Sequence, residues 1–150
     1  MKIKPRFWKL SQGTKDFNLA ELFGSIREGL VYVHKDTKSK AISKTTQGQN
    51  FFKADIGDYF YLTHGNNRIY LLGQFSGPPN ILSAKAGGWL DRPFRHIRSS
   101  ISMDPYTSQK KWWTPNENST FVEVPDGEIK LFETLILFPY FEIKLSDFGI

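Results

Sequence analysis

The sequence contains no cysteine, only two methionines and no long apolar run. The absence of cysteine excludes thiol nucleophiles, iron–sulfur clusters, zinc ribbons and disulfide scaffolds. The longest apolar run, Leu135 to Phe138, is far shorter than the roughly 20 residues of a membrane span, and the first residues do not resemble a signal peptide. We therefore expect a cytoplasmic protein with one domain, because 150 residues can bury one core without covalent or metal staples.

Catalytic motifs are also missing. The sequence has no phosphate-binding loop, dinucleotide fingerprint, zinc-protease helix or nucleophile elbow. The histidines at positions 34, 64 and 96 lack the spacing of metal ligands, so we predict no metal site and no cofactor. Asp58 precedes a predicted strand and is expected to cap a turn. A hydrolase or nuclease using Asp58, Glu117 or His34 is an alternative to a binding protein.

Positive charge is concentrated in the first 122 residues. They carry 18 Lys and Arg against 9 Asp and Glu, whereas residues 123–150 carry 2 against 6. A basic surface attracts nucleic acid, although lysines can also serve only to solvate a surface. We predict a nucleic-acid-binding domain over residues 1–138, followed at 139–150 by an acidic tail or linker toward a possible C-terminal domain.

Apolar periodicity and turn residues predict an α+β fold. Helices are predicted at 17–27, 47–54 and 126–137, and strands at 3–10, 30–34, 59–63, 68–75, 93–98 and 119–124. The clearest pattern is a β-hairpin over 56–75, whose tip of Gly and Asn residues tolerates positive φ. This order favours a mixed sheet of five to six strands, curled into an open barrel and flanked by two to three short helices.

Tryptophans occur where a core does not require them. Trp89 follows two glycines at the end of a long loop over 76–88, and Trp112 and Trp113 follow two lysines. Adjacent side chains of an extended segment point in opposite directions, so one indole of the pair is expected in the core and the other at the surface or in a cleft. Aromatic walls beside cations suit a stacked nucleobase with flanking phosphates, while the alternative role of these tryptophans is to fill the barrel.

Five short motifs stand in order along the chain: Phe7-Trp8-Lys9-Leu10-Ser11, Gly29-Leu30-Val31-Tyr32, Ile56-Gly57-Asp58-Tyr59-Phe60-Tyr61, Leu71-Leu72-Gly73-Gln74-Phe75 and Gly88-Trp89. In this order they resemble the EVE and YTH branch of the PUA-like superfamily. The later segment from Lys111 to Val122 is similar to the N-terminal recognition domains of McrB-type restriction ATPases. The resemblance covers nearly the whole chain and implies a PUA-like (EVE/YTH-like) curled barrel that reads a modified base in an aromatic cage.

The resemblance also implies a set of site residues. Trp89 matches the cage tryptophan, Tyr32 or His34 falls near the other wall, and Ser11 matches a polar residue that lines the pocket. The predicted pocket also includes Trp113 and, near the rim, Asn116, for which Asn118 is the alternative. Phosphate contacts are expected from a set of basic side chains: Lys35, Lys38, Lys40, Arg92, Arg95, Lys110 and Lys111.

These expectations combine into one predicted function. The chain is predicted to be a non-catalytic specificity domain that binds double-stranded DNA and flips a methylated base, 5-methylcytosine or N6-methyladenine, into its cage. Its expected partners are a GTPase or ATPase domain in the same chain and an McrC-like nuclease subunit, as in a restriction system. The alternative is a stand-alone RNA-binding module that reads a modified nucleotide with the same cage.

Overall fold

The structure is a computed structural model that describes residues 4–37, 46–66, 68–85 and 87–150. Lys38 and Lys40, two of the predicted phosphate contacts, lie outside the described residues. The α+β prediction is confirmed, because six strands form one sheet with helices packed on it. In chain order the strands are β1 (Phe7–Gln12), β2 (Leu30–His34), β3 (Tyr59–His64), β4 (Ile69–Phe75), β5 (Trp89–Ser99) and β6 (Phe121–Glu123).

The strands lie in the order β2-β5-β4-β3-β1-β6, so the sheet is open. β1 pairs with β3 in parallel, and the other neighbours are antiparallel. The predicted hairpin is confirmed as β3 and β4. β5 is longer than predicted and begins at Trp89, because it pairs first with β2 and then with β4.

Two helices stand where local signals predict them. α1 (Leu19–Glu28) begins at Asn18, whose side chain forms a capping box with Glu21, and it ends at Gly29 with a φ of 71°. α2 (Gln47–Lys53) begins with a second capping box, between Thr46 and Gln49.

α2 closes the open side of the curled sheet by packing against both of its edge strands, β2 and β6. The side-chain oxygen of Gln47 accepts hydrogen bonds from the backbone N–H groups of Thr120 and Phe121, both at 2.7 Å. The side-chain oxygen of Gln12 accepts a hydrogen bond from the Tyr32 N–H at 2.9 Å, which joins β1 to β2. The Gln12 bond holds two strands that are not neighbours in the sheet, β1 and β2, close together, and the Gln47 bonds fix α2 to β6.

Apolar clusters pack against both faces of the sheet. Inside the curl, Trp8, Leu10 and Phe60 belong to one apolar cluster, whereas Phe7 and Tyr61 on the other face belong to a second. The C-terminal segment covers this second face through α3 (Ile129–Phe132), a π-helical turn (Glu133–Leu137), α4 (Phe138–Phe141) and 3₁₀ turns at Asp126–Glu128 and Leu145–Phe148.

The residues expected to form an acidic tail pack into this second cluster. Phe141, Ile143 and Leu145 are buried there, and the Phe148 ring lies edge-on to the Phe7 ring at 5.2 Å. Burial of this apolar surface stabilises the sheet from its outer face. That a further domain follows residue 150 stays a prediction.

Candidate functional site

An open cavity of about 310 Å³ lies where β1 and β2 approach each other across the open side of the barrel. The end of β1, the turn before α1, the outer face of β2 and the first residue of β5 form its walls. The lining residues are Ser11, Gln12, Gly13, Asp16, Phe17, Tyr32, His34, Thr37, Trp89 and Thr120. The fold thus brings together four residues that the sequence singled out: Ser11, Tyr32, His34 and Trp89.

Three aromatic rings, those of Phe17, Tyr32 and Trp89, form what we call the cage. The Phe17 ring lies edge-on to Trp89, with centroids 5.3 Å apart and planes at 83°, and its centroid lies 5.7 Å from that of Tyr32. His34, opposite Trp89 in the β2–β5 register, supports the indole edge-on at 5.2 Å. Trp89 is half-buried, so it presents ring surface to the cavity.

His34 holds the segment before Trp89 in place. Its Nε2 lies 2.7 Å from the carbonyl oxygen of Gly87, and its Nδ1 accepts a hydrogen bond from the Asp36 N–H at 3.1 Å. Because a carbonyl oxygen only accepts, the Nε2–H group of His34 donates this hydrogen bond. The Lys35 N–H donates to the Gly88 carbonyl at 3.0 Å. With both ring nitrogens occupied, His34 is a positioning residue for the indole.

Gly88 has a φ of 92°, and a Cβ on it would lie 3.2 Å from the His34 Nε2 atom. A side chain at this position would therefore meet the imidazole while forcing a backbone conformation that only glycine adopts readily.

The polar groups that line the cavity differ in how many hydrogen bonds they already make within the protein. The Ser11 hydroxyl donates to the Gly65 carbonyl at 3.1 Å and keeps acceptor capacity toward the cavity. Gln12 uses its side-chain oxygen for the Tyr32 N–H and its amide nitrogen for the Ser25 hydroxyl. The Tyr32 hydroxyl has no hydrogen-bond partner among the described residues, and burial, with a smaller contribution from Asp91, raises its pKa. Tyr32 therefore stays protonated and offers a donor.

Two residues beside the candidate site, Phe17 and Lys85, were not predicted from the sequence. The predicted helix over 17–27 begins at Phe17, but Phe17 precedes the cap residue Asn18 and closes one wall of the cage. The Lys85 ammonium lies over two cage rings, 4.7 Å from the Phe17 centroid and 5.2 Å from the Trp89 centroid. The one available signal was a lysine three residues before Gly88-Trp89 in the long loop.

Two predicted pocket residues lie elsewhere. Trp113 is 1% exposed in the outer-face core, where its Nε1–H donates to Glu128 at 2.9 Å, so its place in the base pocket was wrong. The split within the tryptophan pair is confirmed, since Trp112 is 52% exposed. Asn116 is not among the cavity residues, because its side chain bonds to Thr114 and to the Ser108 carbonyl within its own loop.

Arg92 was predicted as a phosphate contact, and this is wrong because its guanidinium is buried, with 1% of the residue exposed. It donates to the backbone carbonyls of Gly77, Phe51 and Ala54 and stacks over the Phe75 ring at 4.4 Å. Burial lowers its pKa, and nearby carboxylates oppose that shift. Arg92 therefore ties α2 and the loop after β4 to β5.

The other predicted phosphate contacts are more accessible. Lys35 lies beside the cage and pairs with Asp36 at 3.1 Å. Arg95 is exposed on β5 and hydrogen-bonds to the Gln74 side chain. The other two pair with acidic side chains, Lys110 with Glu117 at 3.7 Å and Lys111 with Glu128 at 2.7 Å.

A larger open groove of about 520 Å³ runs past Asp55 and Asp58. Asp58 accepts hydrogen bonds from the Asp55 N–H, the Trp8 indole, and the backbone and side chain of Arg6. The predicted turn cap is confirmed, and this full set of donors favours a structural role for Asp58 over general acid–base work. In the described ranges, no group of three or more His, Asp or Glu side chains could hold a metal ion.

The chain is similar in fold to several solved structures. A hypothetical protein from Leishmania major is 10% identical with a TM-score of 0.54, covering 87% of this chain and 94% of that chain. A protein from Pseudomonas putida is 14% identical with a TM-score of 0.50, covering 86% and 98%. The YTH domain of the Zygosaccharomyces rouxii MRB1 protein, solved with N6-methyladenosine RNA, is 15% identical with a TM-score of 0.43, covering 87% and 86%.

At these identities the comparisons concern the fold alone. No known protein family and no curated protein matches the sequence. The link to McrB-type ATPases stays a prediction. Within the described residues, every helix falls short of the length and apolar character that a bilayer crossing requires.

Proposed function

We propose that this chain is a non-catalytic nucleic-acid-binding domain that takes one modified base, extruded from its stack, into the cage of Phe17, Tyr32 and Trp89. The observation that carries the proposal is the arrangement of three aromatic rings around an open cavity of about 310 Å³. Small-molecule pockets occupy roughly 300–1,000 Å³, so this cavity is suited to a single base rather than a dinucleotide.

The energetics of base extrusion fit this cage. Flipping a base costs a few kcal/mol, and stacking on aromatic side chains returns about 1–3 kcal/mol per base. One buried methyl group contributes only about 0.8 kcal/mol, so selectivity must also come from polar contacts and cage shape. The hydroxyl groups of Tyr32 and Ser11 would form hydrogen bonds with the edge of the base and so distinguish one base from another.

We propose double-stranded DNA carrying a methylated base, such as 5-methylcytosine or N6-methyladenine, as the partner. The loop that carries Lys85 supports a duplex, because Ile81 and Leu82 are 67% and 84% exposed at its tip. Proteins that distort a duplex insert apolar side chains of this kind between base pairs. Exposed basic side chains such as Lys35 and Arg95 would hold phosphates without reading sequence. A role in a McrBC-like restriction system is part of the same proposal.

The test compares Trp89→Ala with Trp112→Ala, a matched removal of an exposed indole outside the cavity. Binding is measured to otherwise identical duplexes that each carry one defined modified base. Loss of stacking worth about 1–3 kcal/mol predicts that Trp89→Ala binds the preferred duplex about 5–150-fold more weakly, with weak salt-sensitive binding retained.

Trp112→Ala should keep the wild-type ratio of modified to unmodified affinity. If Trp89→Ala also keeps this ratio, the cage has no role in recognising the modified base. Competition with methylated RNA of the same sequence tests the nature of the partner, since stronger competition by RNA would favour an RNA-reading module over a DNA-reading one. Leu82→Ser should weaken duplex binding but leave nucleoside binding unchanged, which separates the loop tip from the cage.

A further inference from the structure

Another open cavity, of about 300 Å³, adjoins the cavity of the cage at the turn before α1, and we call it the tip cavity. It is lined by five residues: Thr14, His64, Arg68, Tyr70 and Pro105. Gly13, Asp16 and Phe17 of the same turn line the cavity of the cage, and the Phe17 N–H donates to the Gly13 carbonyl at 3.0 Å. Because consecutive Cα atoms lie only about 3.8 Å apart, Gly13 and Thr14 bring the two linings side by side.

The end of the β3–β4 hairpin fixes the walls of the tip cavity to this turn. The Gly65 N–H donates to the Gln12 carbonyl at 3.0 Å, and the Gly65 carbonyl accepts from the Ser11 hydroxyl at 3.1 Å. A Cβ on Gly65 would lie 3.1 Å from the Thr14 side chain, so the hairpin packs directly on the turn. The tip cavity is therefore built on the same hydrogen-bonded turn that shapes the cage.

His64 links the two cavities. Its Nε2–H donates to the Phe17 carbonyl at 2.6 Å and so anchors the backbone of a cage residue. Its Nδ1 atom has no hydrogen-bond partner among the described residues, and its side chain lines the tip cavity. His64 is thus held at one ring nitrogen by the cage segment and keeps the other nitrogen for a ligand.

The chemistry of the lining favours an anion. The Arg68 guanidinium is exposed and makes no ion pair or hydrogen bond with the described part of the chain. The hydroxyl group of Tyr70 likewise has no hydrogen-bond partner there, nor does that of Thr14. Among the described residues, no acidic side chain lines the tip cavity. Guanidinium and hydroxyl groups are common donors to nucleic-acid phosphates, so this lining suits a phosphate group.

From this arrangement we infer that the tip cavity binds a backbone phosphate next to the base held in the cage. This inference rests on the proposed function and deepens it, because it assigns the site that holds the strand beside the extruded nucleotide. Arg68 supplies the positive charge, Thr14 and Tyr70 supply hydroxyl donors, and His64 donates through Nδ1 when its ring is protonated. A phosphate bound here would fix His64 and, through its bond to the Phe17 carbonyl, one wall of the cage.

The test removes the negative charge of one phosphate at a time. Duplexes carry a single N6-methyladenine or 5-methylcytosine, and one neutral methylphosphonate linkage replaces each phosphate in turn on either side of that base. Binding of each duplex to the full chain is measured at several salt concentrations. In the wild type we expect one linkage to weaken binding about fivefold, the fold-change that corresponds to one net hydrogen bond.

Arg68→Gln removes the charge from the tip cavity. It should weaken binding of modified and unmodified duplexes alike and reduce the slope of log affinity against log salt by about one. The sensitive linkage should have no further effect in this variant, because its partner is already lost. Arg27→Gln changes an exposed arginine on α1 outside both cavities, and as the matched control it should respond to the sensitive linkage as the wild type does.

Two variants of His64 separate its two contacts. His64→Gln keeps an amide donor for the Phe17 carbonyl but removes the free Nδ1 atom, so it should respond less to the sensitive linkage and still bind the free nucleoside of the same base. His64→Ala also removes the anchor of Phe17, so it should weaken nucleoside binding by about fivefold. Equal nucleoside affinities of His64→Ala and the wild type would contradict the link between the tip cavity and the cage.

The outcomes separate the two proposals. If no single linkage matters, or if Arg68→Gln responds to the sensitive linkage as the wild type does, the inference fails, and the proposed function stands provided that Trp89→Ala loses the preference for the modified duplex. If Trp89→Ala keeps that preference, the proposed function fails whatever the linkages show. If inorganic phosphate binds through Arg68 without competing with the duplex, the tip cavity serves a different anion and the inference is overturned.

Discussion

Two adjacent glycines allow a sharp test of how the indole wall is positioned. Gly87 and Gly88 have φ values of 89° and 92°, so alanine at either position costs a similar amount of backbone strain, about 1–2 kcal/mol. Their surroundings differ. A Cβ on Gly87 would meet nothing within 4 Å, whereas a Cβ on Gly88 would lie 3.0 Å from the Lys35 side chain and 3.2 Å from the His34 ring.

The flexible end of Lys35 can move aside, but His34 is held at both ring nitrogens. Displacing the imidazole strains or breaks its 2.7 Å hydrogen bond to the Gly87 carbonyl, a loss of about 0.5–1.5 kcal/mol. It also removes the edge-on support of Trp89. Gly88→Ala should therefore weaken binding to the preferred modified duplex about tenfold, and Gly87→Ala by no more than about threefold.

Thermal unfolding shows how much each substitution destabilises the fold, separately from its effect on binding. Backbone strain alone should lower the melting temperature of either variant by about 2–8 °C, since 1 kcal/mol corresponds to roughly 2–4 °C in a chain of this size. Gly88→Ala should melt below Gly87→Ala by a few degrees. Equal affinities and equal melting temperatures for the two variants would refute the idea that His34 positions the indole through this contact.

Three further predictions concern Arg92, Glu128 and Tyr32. Arg92→Met removes the donor to three buried backbone carbonyls and should destabilise the fold by about 3 kcal/mol or more, measured by urea unfolding, without a selective loss of modified-base binding. Hydrogen bonds from Lys111 and Trp113 lower the pKa of Glu128 in the folded protein. The ionised carboxylate should therefore stabilise the fold above the unfolded-state pKa, and this stabilisation should be lost as the pH falls through the lower folded-state pKa. Unfolding curves of Glu128→Gln, measured over the same pH range, should lack this dependence. Tyr32→Phe should leave the melting temperature near that of the wild type but reduce discrimination between bases that differ at the hydrogen-bonding edge, and unchanged discrimination would exclude the hydroxyl as a reader.

The elements predicted well are those specified by short-range signals. The apolar spacing of α1, with Asn18 before it and Gly29 after it, determines that helix, and the Gly and Asn tip determines the hairpin. β5 was predicted too short because its first half pairs with β2 and its second half with β4, a division that depends on topology. The C-terminal segment continues as helix past its predicted end at residue 137 because its apolar side chains cover the outer face of the sheet.

Residues of the candidate site were predicted from the sequence only where a local motif marks them. Four residues that line the cavity were predicted from their places in or beside an ordered set of motifs: Ser11, Tyr32, His34 and Trp89. Phe17 and Lys85 lie 4.7 Å apart in space, from ring centroid to ammonium, but far apart in sequence, so no local pattern links them. Nor does local sequence separate Trp112 from Trp113, because packing against the C-terminal helices decides which indole is buried.

The most direct test of the aromatic cage is a crystal structure of the chain bound to a short duplex that carries the preferred modified base. We expect one extruded base in the cavity of about 310 Å³, stacked on the Trp89 ring and therefore nearly perpendicular to the Phe17 ring. A base that stays in its helical stack, or one that binds in the groove beside Asp55 and Asp58, would contradict this expectation.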